Sequence, residues 1–192
     1  VSQSLAEALA LAAHLAAPVL SCAVVTLLLV AAWSDITRRV IPNTVSLALA
    51  SIGLALRFLQ DEVPPAVAAA TAAFAVLCLC WRRGLIGGGD VKLIAACLLL
   101  VSPAQALALV ITISLSGGGL AVVYLGLGRW LARWPKRPSP GRPRRPRRQM
   151  FWLRRLLAIE AWRARRRLGL PYGIAIAAGT LATLSAGAPA PF

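Results

Sequence analysis

The chain has 192 residues, 59% of them hydrophobic, and a mean hydropathy of +0.75. With apolar runs of about 18 residues or more, that excludes an ordinary soluble domain and points to an all-α polytopic membrane protein with a single membrane-embedded domain over residues 1–192. The formal charge of +15 resembles a nucleic-acid signal, but residues 129–167 hold 15 of the 21 Lys and Arg with Glu160 as their one acid, so no nucleic-acid partner is expected.

In chain order, the apolar pattern predicts membrane spans at Ala12–Trp33, Thr44–Leu59, Pro65–Trp81, Asp90–Ser102, Ala104–Gly128 and Leu170–Ala186, about six helices in all. No basic segment precedes the first run, so it is expected to be a permanent span and not a cleaved signal. The fourth run makes only about 18 Å of helix against a hydrocarbon core of about 30 Å. Either it starts partway into the membrane near Asp90, or it continues through Pro103 and turns later, at Gly117-Gly118-Gly119.

Basic residues in short loops mark the cytoplasmic side. Arg38 and Arg39, Arg82 and Arg83, and the 129–167 loop share that side only if residues 91–128 cross twice. Asp61, Glu62 and both termini then fall outside. Arg57 is the one discordant charge, and Asp61 lies one helical turn from it.

Within the basic loop, inserted between the fifth and sixth helices, residues 135–148 are too rich in proline and like charge to fold. Residues 149–168 read as an amphipathic helix, with Trp152, Leu156, Ile159 and Trp162 on one stripe and Arg154, Arg155, Arg165 and Arg166 toward the other side. That combination suits the anionic lipid of an inner leaflet. Cys22, Cys78, Cys80 and Cys97 all lie in apolar stretches without a C-x-x-C pair, so they read as small hydrophobes and not as zinc ligands or disulfides. His14, the only histidine, reads as an interfacial residue of the first span.

Among six acidic residues, Asp35 and Asp90 sit at the ends of long apolar runs, where an ionisable group is costly and marks a functional site. By the topology above, Asp35 ends a helix running inward and Asp90 begins one running outward, so both reach the cytoplasmic boundary. A carboxylate pair there can hydrolyse a peptide: one takes a proton from water while the other, protonated, polarises the carbonyl. That chemistry calls for no metal and no cofactor. Gly87, Gly88 and Gly89 let an extended substrate backbone approach Asp90 and permit irregular backbone where its helix begins. Downstream of Asp35, Pro42 suits the first turn of a helix that Asn43 or Thr44 can cap. Lys92, two positions after Asp90, points away and snorkels to the headgroups.

Taken together, these motifs resemble those of the type IV prepilin peptidases, membrane aspartyl proteases of the GxGD type. Asp35 with Arg38, Arg39 and Ile41-Pro42-Asn43 is similar to the first catalytic motif. Gly87-Gly88-Gly89-Asp90-Val91-Lys92-Leu93 is similar to the second, and Leu170-Pro171-Tyr172-Gly173 to the segment that opens the last helix. The resemblance implies that Asp35 and Asp90 are catalytic and that the substrate is a prepilin or pilin-like protein. Its basic leader would be cut at the cytoplasmic face of the bacterial inner membrane. The chain lacks the cysteine tetrad and the length of the bifunctional members, and looks more like the compact peptidases of Tad/Flp-type pilus systems, without N-methylation. The oligomeric state is left open.

Two other readings compete. A presenilin- or signal-peptide-peptidase-like intramembrane protease shares the GxGD signature; Ser34 before Asp35, where that group typically has tyrosine, and Ile41-Pro42-Asn43 favour the prepilin reading. A small transporter with an acidic relay would need a further acid in mid-membrane to continue the path.

Overall fold

The computed structural model describes residues 2–133 and 170–186. Among these residues, six α-helices run in the order α1 (Ser2–Arg38), α2 (Asn43–Leu59), α3 (Val63–Arg82), α4 (Gly88–Leu100), α5 (Ala106–Arg133) and α6 (Tyr172–Ala186), with a 3-10 turn at Pro103–Gln105 before α5. Among the described residues there is no strand. The chain is an all-α polytopic membrane protein: Pro18–Arg38, Val63–Arg82 and Pro103–Leu127 are long and apolar enough to cross a membrane, and α2 and α6 are shorter apolar helices.

Two compact units are distinguished, with their boundary inside α5: Val1–Gly117 together with Pro171–Phe192, and Gly118–Leu170. In the second, the described part of α5 exposes Val122, Val123, Leu125 and Trp130, as a lipid-facing helix does. The extended 135–148 stretch and the amphipathic 149–168 helix expected from sequence lie outside the described residues. His14 falls in α1 but outside the residues whose side chains are described.

In the first unit, α4 packs mainly on α2 and α3, and α1 on α6. Helices in lipid gain little from hydrophobic exclusion and rely on close packing through small residues. Gly53 of α2 meets the backbone of Leu99, where an added Cβ would lie 2.6 Å from the carbonyl carbon. Gly179 of α6 meets Ile113 of α5 in the same way, 2.6 Å from its Cα. Beside that contact, the hydroxyls of Thr112 and Thr183 are 2.6 Å apart, and Thr112 donates to the Gly179 carbonyl at 3.1 Å. Two directions follow from the pairings. Asn43 and Arg57 of α2 meet Lys92 and Leu100 of α4, so these helices are parallel. Thr112 and Gly117 of α5 meet Thr183 and Tyr172 of α6, so those are antiparallel.

The structure overturns the second of the two alternatives raised by the sequence, a helix continuous through Pro103 with its turn at Gly117-Gly118-Gly119. The helix stops at Leu100, Val101 is extended, and α5 runs unbroken through Gly117-Gly118-Gly119. Proline cannot supply the N–H that continuing α4 through position 103 would need. Ser102 instead caps the turn in a reciprocal pairing with Gln105.

Arg57 differs from expectation. Its partner is Glu62, at 2.6 Å, and not Asp61. After α2 the chain closes in a Schellman motif: Glu62 N–H bonds the Arg57 carbonyl, Asp61 N–H bonds Phe58, and Asp61 takes φ +55°. That closure folds Glu62 back over the last turn. Arg57 itself is only 2% exposed and also donates to the Leu100 carbonyl at 3.5 Å, at the end of α4.

Candidate functional site

Asp35 lies in the last turn of α1, and two local features fix that turn. Arg39 takes a left-handed φ of +56° and returns its N–H to the Asp35 carbonyl at 3.0 Å. Ser34 donates its hydroxyl to the Val40 carbonyl at 2.7 Å, closing the loop toward α2. The Asp35 side chain is buried, and its Oδ2 accepts the backbone N–H of Gly173 at 2.7 Å. A carboxylate bond of this kind is roughly twice as strong as a neutral one.

Only glycine fits at 173. An added Cβ there would stand 2.9 Å from the Asp35 Cβ and 3.0 Å from its Oδ2. Pro171 is buried at the start of α6, and Tyr172 lays its phenol against Gly117, where a Cβ would lie 2.7 Å from the hydroxyl oxygen. Tyr172 and Gly173 therefore dock α6 on α5 and on Asp35.

Asp90 is the third residue of α4, which follows a Schellman closure of α3 on Gly84, at φ +72°. Its half-buried side chain folds back to the N–H of Gly87, the residue that caps the helix. Gly87 has to be small for this, since a Cβ would lie 2.9 Å from Asp90 Oδ2. Gly88 sits under the Trp81 indole at the end of α3, and Gly89 packs on buried Ile41. Gly88 and Gly89 thus make contacts that seat α4 against its neighbours, while Gly87 leaves room for the Asp90 carboxylate.

Asp35 and Asp90 lie near enough for their charges to repel. The end of α1 and the starts of α4 and α6 therefore bring together two acids 55 positions apart in sequence. Around them the close contacts are Gly173 on Asp35, Gly87 on Asp90 and Gly89 on Ile41.

Asn43 and Lys92 lie on another flank. Lys92 Nζ donates to Asn43 Oδ1 at 3.1 Å, which ties the lysine to the start of α2. Asn43 does not cap α2 but is its first residue: Pro42 occupies the cap position with extended ψ of 133°, and no side chain caps it. Sequence reasoning did not single out Gly117 as the seat of Tyr172. Its signal was the Gly117-Gly118-Gly119 run, in which only the first glycine faces a close neighbour.

Among the described residues no group of three or more His, Cys, Asp or Glu could hold a metal ion. Cys22, Cys78, Cys80 and Cys97 are free thiols.

These features define a membrane-embedded helical protein with two carboxylates held together where three of its helices meet. The chain belongs to the type IV leader peptidase family, whose model matches residues 22–122, slightly more than half of it and including both aspartates. It is accordingly a membrane peptidase of the leader-peptidase type. No curated protein and no solved structure matches the chain.

Proposed function

We propose that this peptidase is an aspartic endopeptidase that removes the leader of prepilins or pilin-like proteins, with Asp35 and Asp90 as its catalytic pair. The observation that carries the reading is the juxtaposition of these two side chains, one from the end of α1 and one from the start of α4, beside the Gly87-Gly88-Gly89 segment.

In this mechanism one carboxylate takes a proton from the attacking water while the other, protonated, polarises the scissile carbonyl. Collapse of the tetrahedral intermediate breaks the C–N bond, with a proton delivered to the leaving amine. Two close carboxylates share one proton, so the roles belong to the pair and not to either residue. Gly173 and Gly87 each supply a backbone N–H to one carboxylate, which holds the pair in position.

Arg38 and Arg39 at the end of α1, and Arg82 and Arg83 at the end of α3, flank this end of the helices. By the positive-inside rule they support a site at the cytoplasmic face of a bacterial inner membrane. A substrate with a basic leader and an apolar helix would then present its junction at that boundary. Cys22, Cys78, Cys80 and Cys97 form no C-x-x-C pair, which favours the compact Tad/Flp-type subgroup over the bifunctional members. The 129–167 segment would hold the enzyme to anionic lipid.

Co-expression with a pilin-like protein encoded beside it, read as loss of leader mass, is the direct test. An unprocessed precursor in a membrane that contains intact enzyme would sink the reading.

A further inference from the structure

A groove of about 560 Å³ opens between α2, α3 and α4. Its sides are mostly small and apolar, with Ala50, Ala70 and Ala96 toward the protein and Phe74 at one wall. Asn43 and Lys92 stand at one end, at the boundary where α2 and α4 begin. Lys92 is the one charged residue that lines it; the hydroxyls of Ser46 and Thr71 carry no charge.

We infer that this groove binds one anionic phospholipid, its acyl chain between α2, α3 and α4 and its phosphate on Lys92 and Asn43. Three observations favour a lipid over a protein helix. The groove follows α2 from Asn43 to Ala50, α3 from Val67 to Phe74 and α4 from Lys92 to Leu99, about 10 Å along each helix. That matches the upper part of one acyl chain in a hydrocarbon core of about 30 Å, and is too short for a spanning helix. The charge is placed as an amphiphile requires, one cation at the polar end and none below it. Lys92 has three N–H donors and gives one to Asn43 Oδ1, which leaves donors on both the ammonium and the Asn43 amide for phosphate oxygens.

The position relative to the aspartates separates this site from the peptidase chemistry. Lys92 follows Asp90 by two residues, a rotation of roughly 200° about α4. Asp90 therefore faces Asp35 while Lys92 faces the groove, and a lipid there leaves the carboxylates open. The inference rests on membrane insertion of the chain and not on its substrate.

The experiment uses the full-length protein in vesicles with phosphatidylglycerol or phosphatidylethanolamine that carries a photoactivatable diazirine on one acyl chain, with labelled peptides mapped by mass spectrometry. Labelling is expected to concentrate within residues 43–50, 67–74 and 92–99. It should favour phosphatidylglycerol by about fivefold, the effect of one basic residue near an anionic surface. Lys92→Gln should abolish that preference, and Ala95→Phe, which fills the groove, should remove the labelling of these segments. Leu47→Trp, at an exposed wall position, serves the same purpose if Ala95→Phe does not accumulate. Labelling spread evenly over the lipid-facing helices would overturn the inference, as would a lipid preference that survives Lys92→Gln. A photo-crosslinking amino acid at position 74 that captures a second copy of the chain or a substrate's apolar helix in place of lipid would also overturn it.

Discussion

Gly173 donates its backbone N–H to Asp35 Oδ2 at 2.7 Å, across 138 positions of sequence. The bond ties the start of α6 to the end of α1, and it requires glycine, because a side chain would enter the space of the carboxylate. Asp90 has a matching arrangement within its own helix, where Gly87 supplies the N–H and the space. Each acid is thus held by a backbone donor on a residue that lacks a Cβ. Carboxylates positioned in this way lose little freedom when a substrate arrives, which is how a preorganised site lowers a barrier.

Asp35→Asn and Asp90→Asn should each reduce leader cleavage by at least about 100-fold, the lower range for loss of a general acid or base, while the protein still accumulates in the membrane. Asparagine keeps the shape and an acceptor for the Gly173 or Gly87 N–H. The readout is precursor processing set against enzyme level on an immunoblot. Near-normal processing by either variant would remove that residue from the chemistry.

Gly173→Ala should displace the Asp35 carboxylate and cost on the order of 1–3 kcal/mol of stability, the usual range for overpacking. Gly119→Ala, in a helical position with no heavy atom within 4 Å of the new methyl, should be neutral or stabilising by up to about 1 kcal/mol. Thermal unfolding in detergent, with processing measured in parallel, compares the two. Equal effects would mean that close contact at position 173 is not what the fold depends on.

Gly53→Ala and Gly179→Ala are expected to be at least as damaging as Gly173→Ala, because the added methyl meets the backbone of Leu99 or Ile113, which cannot rotate away. A mobile side chain could yield, and a packed helix backbone has to shift as a unit. Retention of wild-type melting temperature by both variants would contradict the helix pairings described above.

The Arg57–Glu62 pair should behave asymmetrically. Glu62→Ala leaves a guanidinium that is 2% exposed without its 2.6 Å partner, at a cost of about 1–3 kcal/mol. Glu62 is itself 39% exposed on its side chain, so water partly compensates and the cost stays below that of a fully buried pair. Arg57→Met, which fills the same space without charge, should be close to neutral. Chemical unfolding of the two variants in the same detergent decides it; a larger loss for Arg57→Met would assign Arg57 a role beyond the ion pair.

Topology can be read with an impermeant thiol reagent on intact cells, after replacement of the native cysteines. Cysteines at Arg39, Arg83 and Pro140 should be protected, and one at Glu62 should be labelled. External labelling at Arg39 or Arg83 would move the aspartates to the opposite face and exclude a cytoplasmic leader as substrate.

Much of the helical plan follows from local chemistry. Apolar runs set most helix ends within about five residues, although α1 begins at Ser2, ten positions before its apolar run at Ala12; Gly84 after Arg82-Arg83 ends α3 because it supplies a left-handed residue at low cost. The basic pairs beside the two acids lead to the expectation that Asp35 and Asp90 share a boundary. Such signals are local or additive, so a linear chain displays them.

Other relationships are absent from local sequence because they depend on which helix packs against which. Gly173 reads as a helix-start glycine, yet its decisive property is contact with Asp35. Lys92 reads as a snorkelling cation and bonds to Asn43, because α2 and α4 run parallel and bring their first turns together. Arg57 selects Glu62 over Asp61 because a left-handed residue at 61 reverses the chain over the helix end. Composition and spacing by themselves determined a helical membrane protein with two carboxylates at the ends of apolar runs. The tertiary structure decided which glycines are sterically required and which polar groups pair, since both depend on distances between residues that only close helix packing brings together.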